Sequence, residues 1–277
     1  MRIEKIRSRN DVYQKFQVLK NNRNKRYKYH QFFVEGDRNQ KEAYRNHWTI
    51  DAFLYAREEP LSDWAESMLK EVPVSCHYEL SAELMRELSG KEDTSELLAI
   101  AEMRQDDFSQ LPLQEKPMLA LFDRPSNKGN LGTIIRSCDS LGVDGLILTG
   151  HGVDLYDPQV ITSTMGSFFQ VPVIRVSEHA RLKSFIQQMK ETYPDFQVIG
   201  TTSHHETPLD QLDLNRPLLF MIGNETDGLS YGLKETCDVL ATIPMSDSAS
   251  ASSLNVGCAA TVMFYEAARQ RRWANNG

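Results

Sequence analysis

The stretch Ile243-Pro-Met-Ser-Asp-Ser-Ala-Ser-Ala-Ser-Ser-Leu-Asn-Val256 joins a short apolar run to a long helical pattern that continues to Arg272. This loop is rich in serine, yet it lies between two segments that are apolar enough to be buried. The backbone groups of a loop that enters a protein core need hydrogen-bonding partners. The stretch is therefore either an ordinary surface turn or a loop whose backbone serves a ligand.

Length and composition indicate a globular protein of one large or two ordinary domains, with 277 residues, 40% of them hydrophobic and 25% charged. The chain has no run of about 18 apolar residues, and its N-terminus lacks an apolar signal core, so we expect a cytoplasmic protein without a membrane partner. The four cysteines form no Cys-x-x-Cys pair, and the seven histidines show no metal-ligand spacing. No metal site is therefore expected, and His204-His205 is interpreted as a loop pair.

Charge is distributed unevenly along the chain. The net charge is −7, but residues 1–30 contain ten Lys or Arg against two acidic residues. Four aromatic residues, Tyr13, Phe16, Tyr27 and Tyr29, alternate with these cations. Basic side chains neutralise phosphates and aromatic rings stack on unpaired bases, so this region is either a solvated basic helix or a contact surface for RNA.

Short apolar runs alternate with helical patterns along the whole chain, which predicts an α/β fold with a mostly parallel sheet. The predicted strands are 32–34, 50–55, 97–101, 118–122, 145–148, 171–176, 197–201, 218–222 and 239–243, and the predicted helices are 61–72, 81–88, 131–141, 178–192 and 231–236. Periodicity is lost over 104–117, where charge and proline increase. We therefore expect a first domain over 1–106, a linker over 107–117 and a second domain over 118–277.

Three common catalytic fingerprints are missing from the sequence. No Gly-x-Gly-x-x-Gly follows the first strand, no phosphate-loop motif occurs, and no Gly-x-Ser-x-Gly elbow occurs. A standard dinucleotide-binding enzyme, a phosphate-loop enzyme and a serine hydrolase of the elbow type are therefore disfavoured.

Polar residues follow three predicted strands at the points where a ligand of an open α/β sheet would bind. After residue 122, Asn130 stands where a helix cap is expected, and Arg136 lies in the helix, where it is either solvated or suited to a phosphate. After residue 222, Gly223 permits a close backbone approach or marks a plain turn. After residue 243, Ser252 or Ser253 is expected to cap the last helix, with Asn255 in its first turn.

Together, in this order and spacing, these segments resemble the TrmH (SpoU) family of the SPOUT superfamily of RNA methyltransferases. The matching pieces are Asn130-Leu-Gly-Thr-Ile-Ile-Arg136, Gly223-Asn-Glu-Thr-Asp-Gly-Leu229, and Ile243-Pro-Met245 with Ser253-Leu-Asn-Val256. The resemblance covers about residues 117–272. The first third resembles, more loosely, the ribosomal-protein-like substrate-binding domain of this family, chiefly at Phe32-Phe-Val-Glu-Gly36.

The resemblance implies a C-terminal trefoil-knotted, mostly parallel sheet flanked by helices, and a smaller N-terminal α/β RNA-binding domain. It implies methyl transfer from S-adenosylmethionine, without a metal, to a ribose 2′-hydroxyl of structured RNA, expected to be ribosomal RNA that the basic N-terminal region binds. It also implies a homodimer with the last helix at the interface. The implied cofactor-binding residues are Thr201, Ile222, Gly223, Gly228, Ile243, Met245 and Leu254, and the implied catalytic residues are Asn130, Arg136, Glu225, Ser253 and Asn255.

Within this resemblance, Arg136 is expected to hold a phosphate and to stabilise the forming alkoxide, while the proton leaves through that phosphate or a water molecule. Glu225 is expected to fix the cofactor loop or to pair with Arg136. The sequence departs from the family pattern in the loop 246–252, which has seven residues where about five are usual, and at Gln159 and Thr162, where basic residues are common. The alternatives are a transfer RNA ribose methyltransferase and a knotted RNA-binding module without catalysis.

Overall fold

The structure is a computed structural model and describes residues 2–202 and 206–274, with side chains up to Arg272. The chain forms two compact units. The first contains the residues up to Arg104 together with Asp154–Gln170, and the second contains Gln105–Val153 and the residues from Val171 onward. The predicted pair His204-His205 lies outside the described residues.

Helices and strands alternate along most of the chain, as the apolar runs predict. The strands are β1 (Ile3–Ile6), β2 (Gln31–Glu35), β3 (Ile50–Ala56), β4 (Cys76–Leu80), β5 (Leu97–Glu102), β6 (Met118–Asp123), β7 (Gly145–Thr149), β8 (Val173–Val176), β9 (Gln197–Thr201), β10 (Thr207–Pro208), β11 (Leu218–Ile222) and β12 (Val239–Thr242). The helices are α1 (Asp11–Asn21), α2 (Arg23–Tyr29), α3 (Asp37–Arg45), α4 (Asp63–Glu71), α5 (Ala82–Leu88), α6 (Lys128–Leu141), α7 (Pro158–Ser163), α8 (Ser167–Gln170), α9 (His179–Thr192), α10 (Tyr231–Lys234) and α11 (Val256–Ala274). The alternation is interrupted, for example, at α1–α2, at α7–α8 and at β9–β10–β11.

Each unit contains one sheet. In the first unit the strand order is β1-β4-β3-β5-β2, in which β5 runs antiparallel to both of its neighbours. In the second unit the order is β10-β12-β9-β11-β6-β7-β8, and every neighbouring pair is parallel. Strands β6 and β11 are buried along their whole length, as expected for a parallel sheet covered on both faces. The predicted α/β class and parallel sheet are confirmed, whereas the trefoil knot stays a prediction.

Several elements of the first unit have no counterpart among the predicted ones, and β1, β4 and α3 show why. The sequences of β1 (IEKI) and β4 (CHYEL) mix charged and apolar residues over only four or five positions. Helix α3 (DRNQKEAYR) is strongly polar and buries few side chains, of which Asn39 and Gln40 are themselves polar. Apolar periodicity therefore gives too weak a signal for these elements, and their pairing with neighbouring strands or packing determines them.

No helix within the described ranges 2–202 and 206–274 is long and apolar enough to cross a membrane. Over the same ranges, no group of three or more His, Cys, Asp or Glu side chains could hold a metal ion.

The first unit is built from two separated parts of the chain, because the segment 154–170 leaves the second sheet between β7 and β8 and packs with the N-terminal residues. A cluster of aromatic rings joins the two parts and includes Phe32, Trp48, Tyr156, Phe168 and Phe169. The indole nitrogen of Trp48 donates a hydrogen bond to the backbone oxygen of Phe169 at 2.9 Å. The predicted domain boundaries at residues 106 and 117 stay a prediction.

A buried ion pair also fixes the segment 154–170 within the first unit. The guanidinium of Arg26 contacts the Asp154 carboxylate at 2.7 Å, and both side chains are at most 5% exposed. Arg26 also donates to the backbone oxygens of Leu19 and Lys20, both at 2.9 Å, and the Tyr27 hydroxyl donates to Asp154 at 2.8 Å. Both charges thus have several hydrogen-bonding partners. Removal of either side chain would leave the other charge buried without its counterion.

We expect Arg26→Ala to destabilise the protein by about 3–5 kcal/mol, because it leaves the Asp154 carboxylate buried without its counterion. Urea unfolding followed by tryptophan fluorescence reports on this unit, since Trp48 belongs to it. The control is Arg7→Ala, an exposed arginine on the same unit, which should change stability by no more than about 0.5 kcal/mol. Equal stabilities of the two variants would contradict a structural role of the buried pair.

Candidate functional site

A cavity of about 240 Å³ lies at the carboxyl ends of strands β9, β11 and β12 in the second unit. Its other walls are the loop after β11 and the chain that leads into helix α11. The lining residues include Thr201, Thr202, Leu209, Ile222, Gly223, Asn224, Glu225, Thr226, Gly228, Ala241, Thr242, Ile243, Met245, Ser252, Ser253, Leu254, Val256, Ala259 and Met263. The carboxyl edge of a parallel sheet is where open α/β folds bind their ligands.

The structure brings together all seven predicted cofactor-binding residues, which are Thr201, Ile222, Gly223, Gly228, Ile243, Met245 and Leu254, along the walls of this cavity. They come from the ends of β9, β11 and β12, from the loop after β11 and from the loop before α11. Contact of these residues with a cofactor stays a prediction. Residues that the sequence did not single out, such as Thr202, Asn224 and Thr242, also line the cavity, because the parallel strands end side by side.

Gly223 is required because the loop after β11 folds tightly onto the strand end. Any side chain at this position would place its Cβ 2.3 Å from the backbone of Gly228 and Leu229, which is far inside van der Waals contact. Asn224 and Gly228 close the loop with two backbone hydrogen bonds of 3.0 and 3.1 Å. Gly228 has a φ of +67°, which favours glycine there as well. The loop is therefore a closed structure rather than an open strand-to-helix turn.

The carboxylate of Glu225 joins this loop to the start of helix α6. It accepts hydrogen bonds from the backbone nitrogens of Ser126 and Asn127, both at 3.1 Å, and from the Ser126 hydroxyl at 2.6 Å. The side-chain amide of Asn130 donates a fourth bond at 3.2 Å. Of the two expectations for Glu225, these contacts support the one in which it fixes a loop, since none of the four bonds comes from Arg136.

Asn130 and Asn255 meet across helices α6 and α11, because the Asn255 amide donates to the Asn130 side-chain oxygen at 3.1 Å. The two helices pack together, with the hydroxyls of Ser137 and Thr261 only 2.6 Å apart. Three predicted catalytic residues, Asn130, Glu225 and Asn255, thus form one hydrogen-bonded chain.

Two predictions about helix caps are wrong. Asn127, not Asn130, caps α6, since its side-chain oxygen accepts from the backbone nitrogen of Asn130 at 3.0 Å. Asn255, not Ser252 or Ser253, occupies the cap position of α11, and its side-chain oxygen accepts from the backbone of Gly257 at 2.9 Å. Asn127 lies three residues before the cap predicted for α6, and Asn255 lies two or three residues after the caps predicted for α11. Asparagine and serine are both good N-caps, so residue type alone does not select between these positions.

The other two predicted catalytic residues lie apart from this hydrogen-bonded chain. Ser253 lines the cavity, and Arg136 is exposed on α6, in the third turn of that helix. The serine-rich loop before α11 is exposed from Pro244 to Asn255, so its side chains are not buried in the core. Only its two ends, at Met245 and at 252–254, contribute to the cavity wall.

Helix α11 is anchored at its far end by Arg271, whose guanidinium donates to four backbone oxygens. Those of Lys116 and Arg216 are at 2.8 Å, that of Leu214 is at 3.2 Å and that of Pro117 is at 3.5 Å. Burial lowers the pKa of Arg271. A cation near the C-terminal end of a helix suits the helix dipole, and the side chain of Arg271 in addition holds the chain segments that lead into β6 and β11.

Partial burial by itself would raise the pKa of Glu225, but the hydrogen bonds from Ser126 and Asn130 outweigh it, so that this pKa lies below its ordinary value. A carboxyl group whose pKa is lower in the folded state stabilises the fold at pH values above its unfolded pKa, about 4.3 for glutamate. That contribution is lost as the pH falls through the lower, folded-state pKa.

We expect Glu225→Gln to lower stability at pH 7 by about 1–3 kcal/mol, because an amide cannot accept four hydrogen bonds as a carboxylate does. The stability difference between wild type and variant should shrink as the pH is lowered through the acidic range, since the wild-type carboxylate then becomes protonated. Denaturant titrations at a series of pH values measure this difference. Glu235→Gln, an exposed matched control in the same unit, should show no such trend, and a gap that stays constant with pH would exclude the carboxylate network as its cause.

The chain matches two family models. Residues 117–265 match the SpoU rRNA Methylase family, and residues 10–99 match the SpoU L30e-like domain. A 23S rRNA (uridine(2479)-2′-O)-methyltransferase of Streptomyces viridochromogenes is 38% identical, with 96% of this chain and 92% of that protein covered. The 23S rRNA (guanosine(2553)-2′-O)-methyltransferase RlmP of Bacillus subtilis is 26% identical, with 84% of this chain and 87% of that protein covered.

Among solved structures, the fold is similar to the SpoU methyltransferase AviRb from Streptomyces viridochromogenes in complex with the cofactor AdoMet. The TM-score is 0.90 at 39% sequence identity, and the match covers 95% of this chain and 99% of that one. The similarity thus extends over both units. Together with the two family models and the loops at the carboxyl edge of the second sheet, it shows that the chain belongs to the SpoU rRNA methylase family.

Proposed function

We propose that this protein transfers a methyl group from S-adenosylmethionine to a ribose 2′-hydroxyl in ribosomal RNA. The observation that carries the proposal is the cavity at the carboxyl edge of the parallel sheet, beside which Asn130, Glu225 and Asn255 form a hydrogen-bonded chain. The two relatives described above are named as 2′-O-methyltransferases of 23S rRNA, which favours ribosomal over transfer RNA. They differ in the base that carries the methylated ribose, uridine or guanosine.

The residues around the cavity fit S-adenosylmethionine. Apolar side chains such as Ile222, Met245 and Leu254 suit its adenine ring, and the hydroxyls of Thr201 and Ser253 suit its polar groups. The glycine at position 223 lets the backbone at Gly228 and Leu229 pack against the strand end, so that Gly223 and Gly228 both lie at the cavity wall. When bound, this cofactor supplies an electrophilic methyl group on a sulfonium sulfur. The chain's own contribution is to orient the groups and to keep water from the reacting atoms.

Arg136 is proposed to bind a phosphate of the RNA and to stabilise the negative charge that develops on the ribose oxygen. It lies on the same helix as Asn130, and its exposed guanidinium has the planar fork that binds phosphate with two hydrogen bonds. A guanidinium is a poor proton acceptor because it keeps its positive charge in proteins, so the proton is proposed to leave through a phosphate or a water molecule. Asn130 and Asn255 are proposed to orient the ribose, and Ser253 to position its hydroxyl.

We expect Arg136→Lys to reduce the rate of methylation at least tenfold, because lysine lacks the fork, while the affinity for S-adenosylmethionine stays unchanged. The rate is measured with labelled S-adenosylmethionine and unmodified 23S rRNA transcripts, followed by mapping of alkali-resistant 2′-O-methyl positions. Arg181→Lys, an exposed arginine of the same unit, is the control.

Each outcome has a separate meaning. Full turnover of Arg136→Lys with normal cofactor affinity would exclude the phosphate-binding role of Arg136. A wild-type protein that binds RNA but neither binds the cofactor nor methylates would instead identify an RNA-binding module without catalysis. Methylation confined to transfer RNA would support the alternative substrate.

The basic N-terminal region is proposed to bind RNA phosphates, but fewer of its cations are available than the sequence indicates. Arg26 is buried in its ion pair with Asp154. Arg9 pairs with Glu83 and Glu87, and the ammonium of Lys20 donates to the backbone oxygens of Leu88 and Ser89. The remaining group includes Lys15 and Lys28, whose ammonium groups lie 5.2 and 6.0 Å from the ring centre of the exposed Tyr29. We call Lys15 of α1 together with Lys25, Lys28 and Tyr29 of α2 the α2 patch.

Replacing the three lysines of the α2 patch by glutamine should weaken RNA binding and reduce the salt dependence of log Kd by about 2–3, close to one for each phosphate that is no longer neutralised. This test is preferable to deleting residues 1–30, which would also remove the buried side chains of Tyr13, Phe16 and Leu19. The control carries the same change of charge at three exposed lysines, Lys70, Lys183 and Lys234. Filter binding at several salt concentrations measures the slope of log Kd against the logarithm of the salt concentration for both variants. If the patch variant and the control gave identical slopes, the α2 patch would be excluded as the RNA-binding surface.

A homodimer and a cytoplasmic location are proposed in addition. The outer face of α11 carries apolar side chains that a second subunit would cover, since Val262 is 40% and Tyr265 52% exposed in the single chain.

A further inference from the structure

Arg124, at the end of strand β6, has a backbone conformation that is unusual for arginine. Its φ is +48°, in the left-handed region that non-glycine residues seldom adopt. The backbone nitrogen and the backbone oxygen of Arg124 are both hydrogen-bonded. The nitrogen of Arg124 donates to the oxygen of Thr149 at 2.9 Å, and its own oxygen accepts from the side-chain amide of Asn224 at 2.6 Å. Strain of this kind persists only where the surrounding structure fixes it, and it concentrates at functional sites.

The guanidinium of Arg124 extends to the same loop that its backbone contacts. It donates to the backbone oxygen of Gly228 at 3.0 Å and lies 3.6 Å from the Asp227 carboxylate. On its other side it donates to Asp123 at 3.1 Å. The Asp123 carboxylate is buried and also accepts from the backbone nitrogen of Ser230 at 3.0 Å. Arg124 therefore contacts the loop after β11 near its start, at Asn224, and beyond its middle, at Asp227 and Gly228, and through Asp123 it is connected to the last residue, Ser230.

A neighbouring glycine accommodates the stem of this arginine. A side chain at Gly150 would place its Cβ 2.5 Å from Cγ of Arg124, and Gly150 has a φ of +66°. Arg124 and Gly150, which are neighbours in space, thus both have a left-handed backbone conformation beside the Arg124 side chain. The loop that this side chain holds contributes Gly223, Asn224, Glu225, Thr226 and Gly228 to the wall of the cavity.

We infer that Arg124 is a positioning residue for S-adenosylmethionine. It fixes the shape of the loop 223–230 and thereby sets the affinity for the cofactor, without belonging to the lining of the cavity. The inference rests on the proposed function, since it concerns the same cavity. It differs from the roles of Asn130, Glu225 and Arg136, because Arg124 is expected to affect cofactor binding and not the chemical step.

The test compares Arg124→Gly with wild type by isothermal titration calorimetry with S-adenosylmethionine at 25 °C. Glycine adopts the left-handed conformation without strain, so the variant lacks the guanidinium and its hydrogen bonds but keeps the backbone turn. We expect Kd for S-adenosylmethionine to rise at least tenfold, while kcat at saturating cofactor and the affinity for RNA each change less than threefold. Arg124→Lys, which keeps the charge but only one donor group, should give an intermediate Kd.

Arg216→Gly is the matched control, because the side chains of Arg124 and Arg216 are both 31% exposed and Arg216 makes a comparable carbonyl bond and ion pair. It should leave Kd unchanged. An Arg124→Gly protein that melts at a lower temperature but binds S-adenosylmethionine as wild type does would overturn the inference, and so would a lysine variant no better than the glycine variant. Failure of the wild type itself to bind would overturn the proposed function instead.

Discussion

The carboxylate of Glu225 is the group on which the geometry of the candidate site depends. It accepts four hydrogen bonds from Ser126, Asn127 and Asn130, and through Asn130 it is connected to Asn255. Three loops that are far apart in the sequence are thereby fixed with respect to each other. Hydrogen bonds to an ionised group are stronger than those between neutral groups, so one side chain can hold segments that a single neutral bond would not. The close backbone approach at Gly223 adds a steric constraint to this electrostatic one, because it leaves the loop that carries Glu225 little freedom.

Much of this arrangement could be predicted from the sequence, and the reasons are local. Strands β6 and β11 are continuous apolar runs, which a buried parallel strand requires, and polar residues directly after them mark the edge where ligands bind. Among the elements that escaped prediction, β1 and β4 are short and mixed in polarity. The errors at the caps have a different origin. Asn127 and Asn130 are equally good caps by type, and the choice between them follows from the bonds that Glu225 makes with both.

Arg124 and Asp123 illustrate what sequence patterns do not contain. A positive φ at an arginine leaves no trace in residue type, and two partners of this side chain, Asp227 and Gly228, lie about 100 positions further along the chain. Asp123 gave a weak signal, since an acidic residue that ends a fully apolar strand must be either exposed or satisfied by several donors. The structure shows the second case, with Thr149, Arg124 and Ser230 as its donors.

The discontinuous first unit bears on how members of this family could be recombined. Its fold uses residues up to Arg104 and the separate segment Asp154–Gln170, which share the aromatic cluster and the ion pair of Arg26. A hybrid enzyme made by a single crossover near residue 106 would combine an N-terminal part from one parent with a segment 154–170 from the other. Phe32 and Arg26 would then come from one parent, and the aromatic rings and the carboxylate that they contact in the segment 154–170 would come from the other. Exchange of the first unit between relatives therefore calls for the transplantation of two separate pieces of chain, chosen from the same parent.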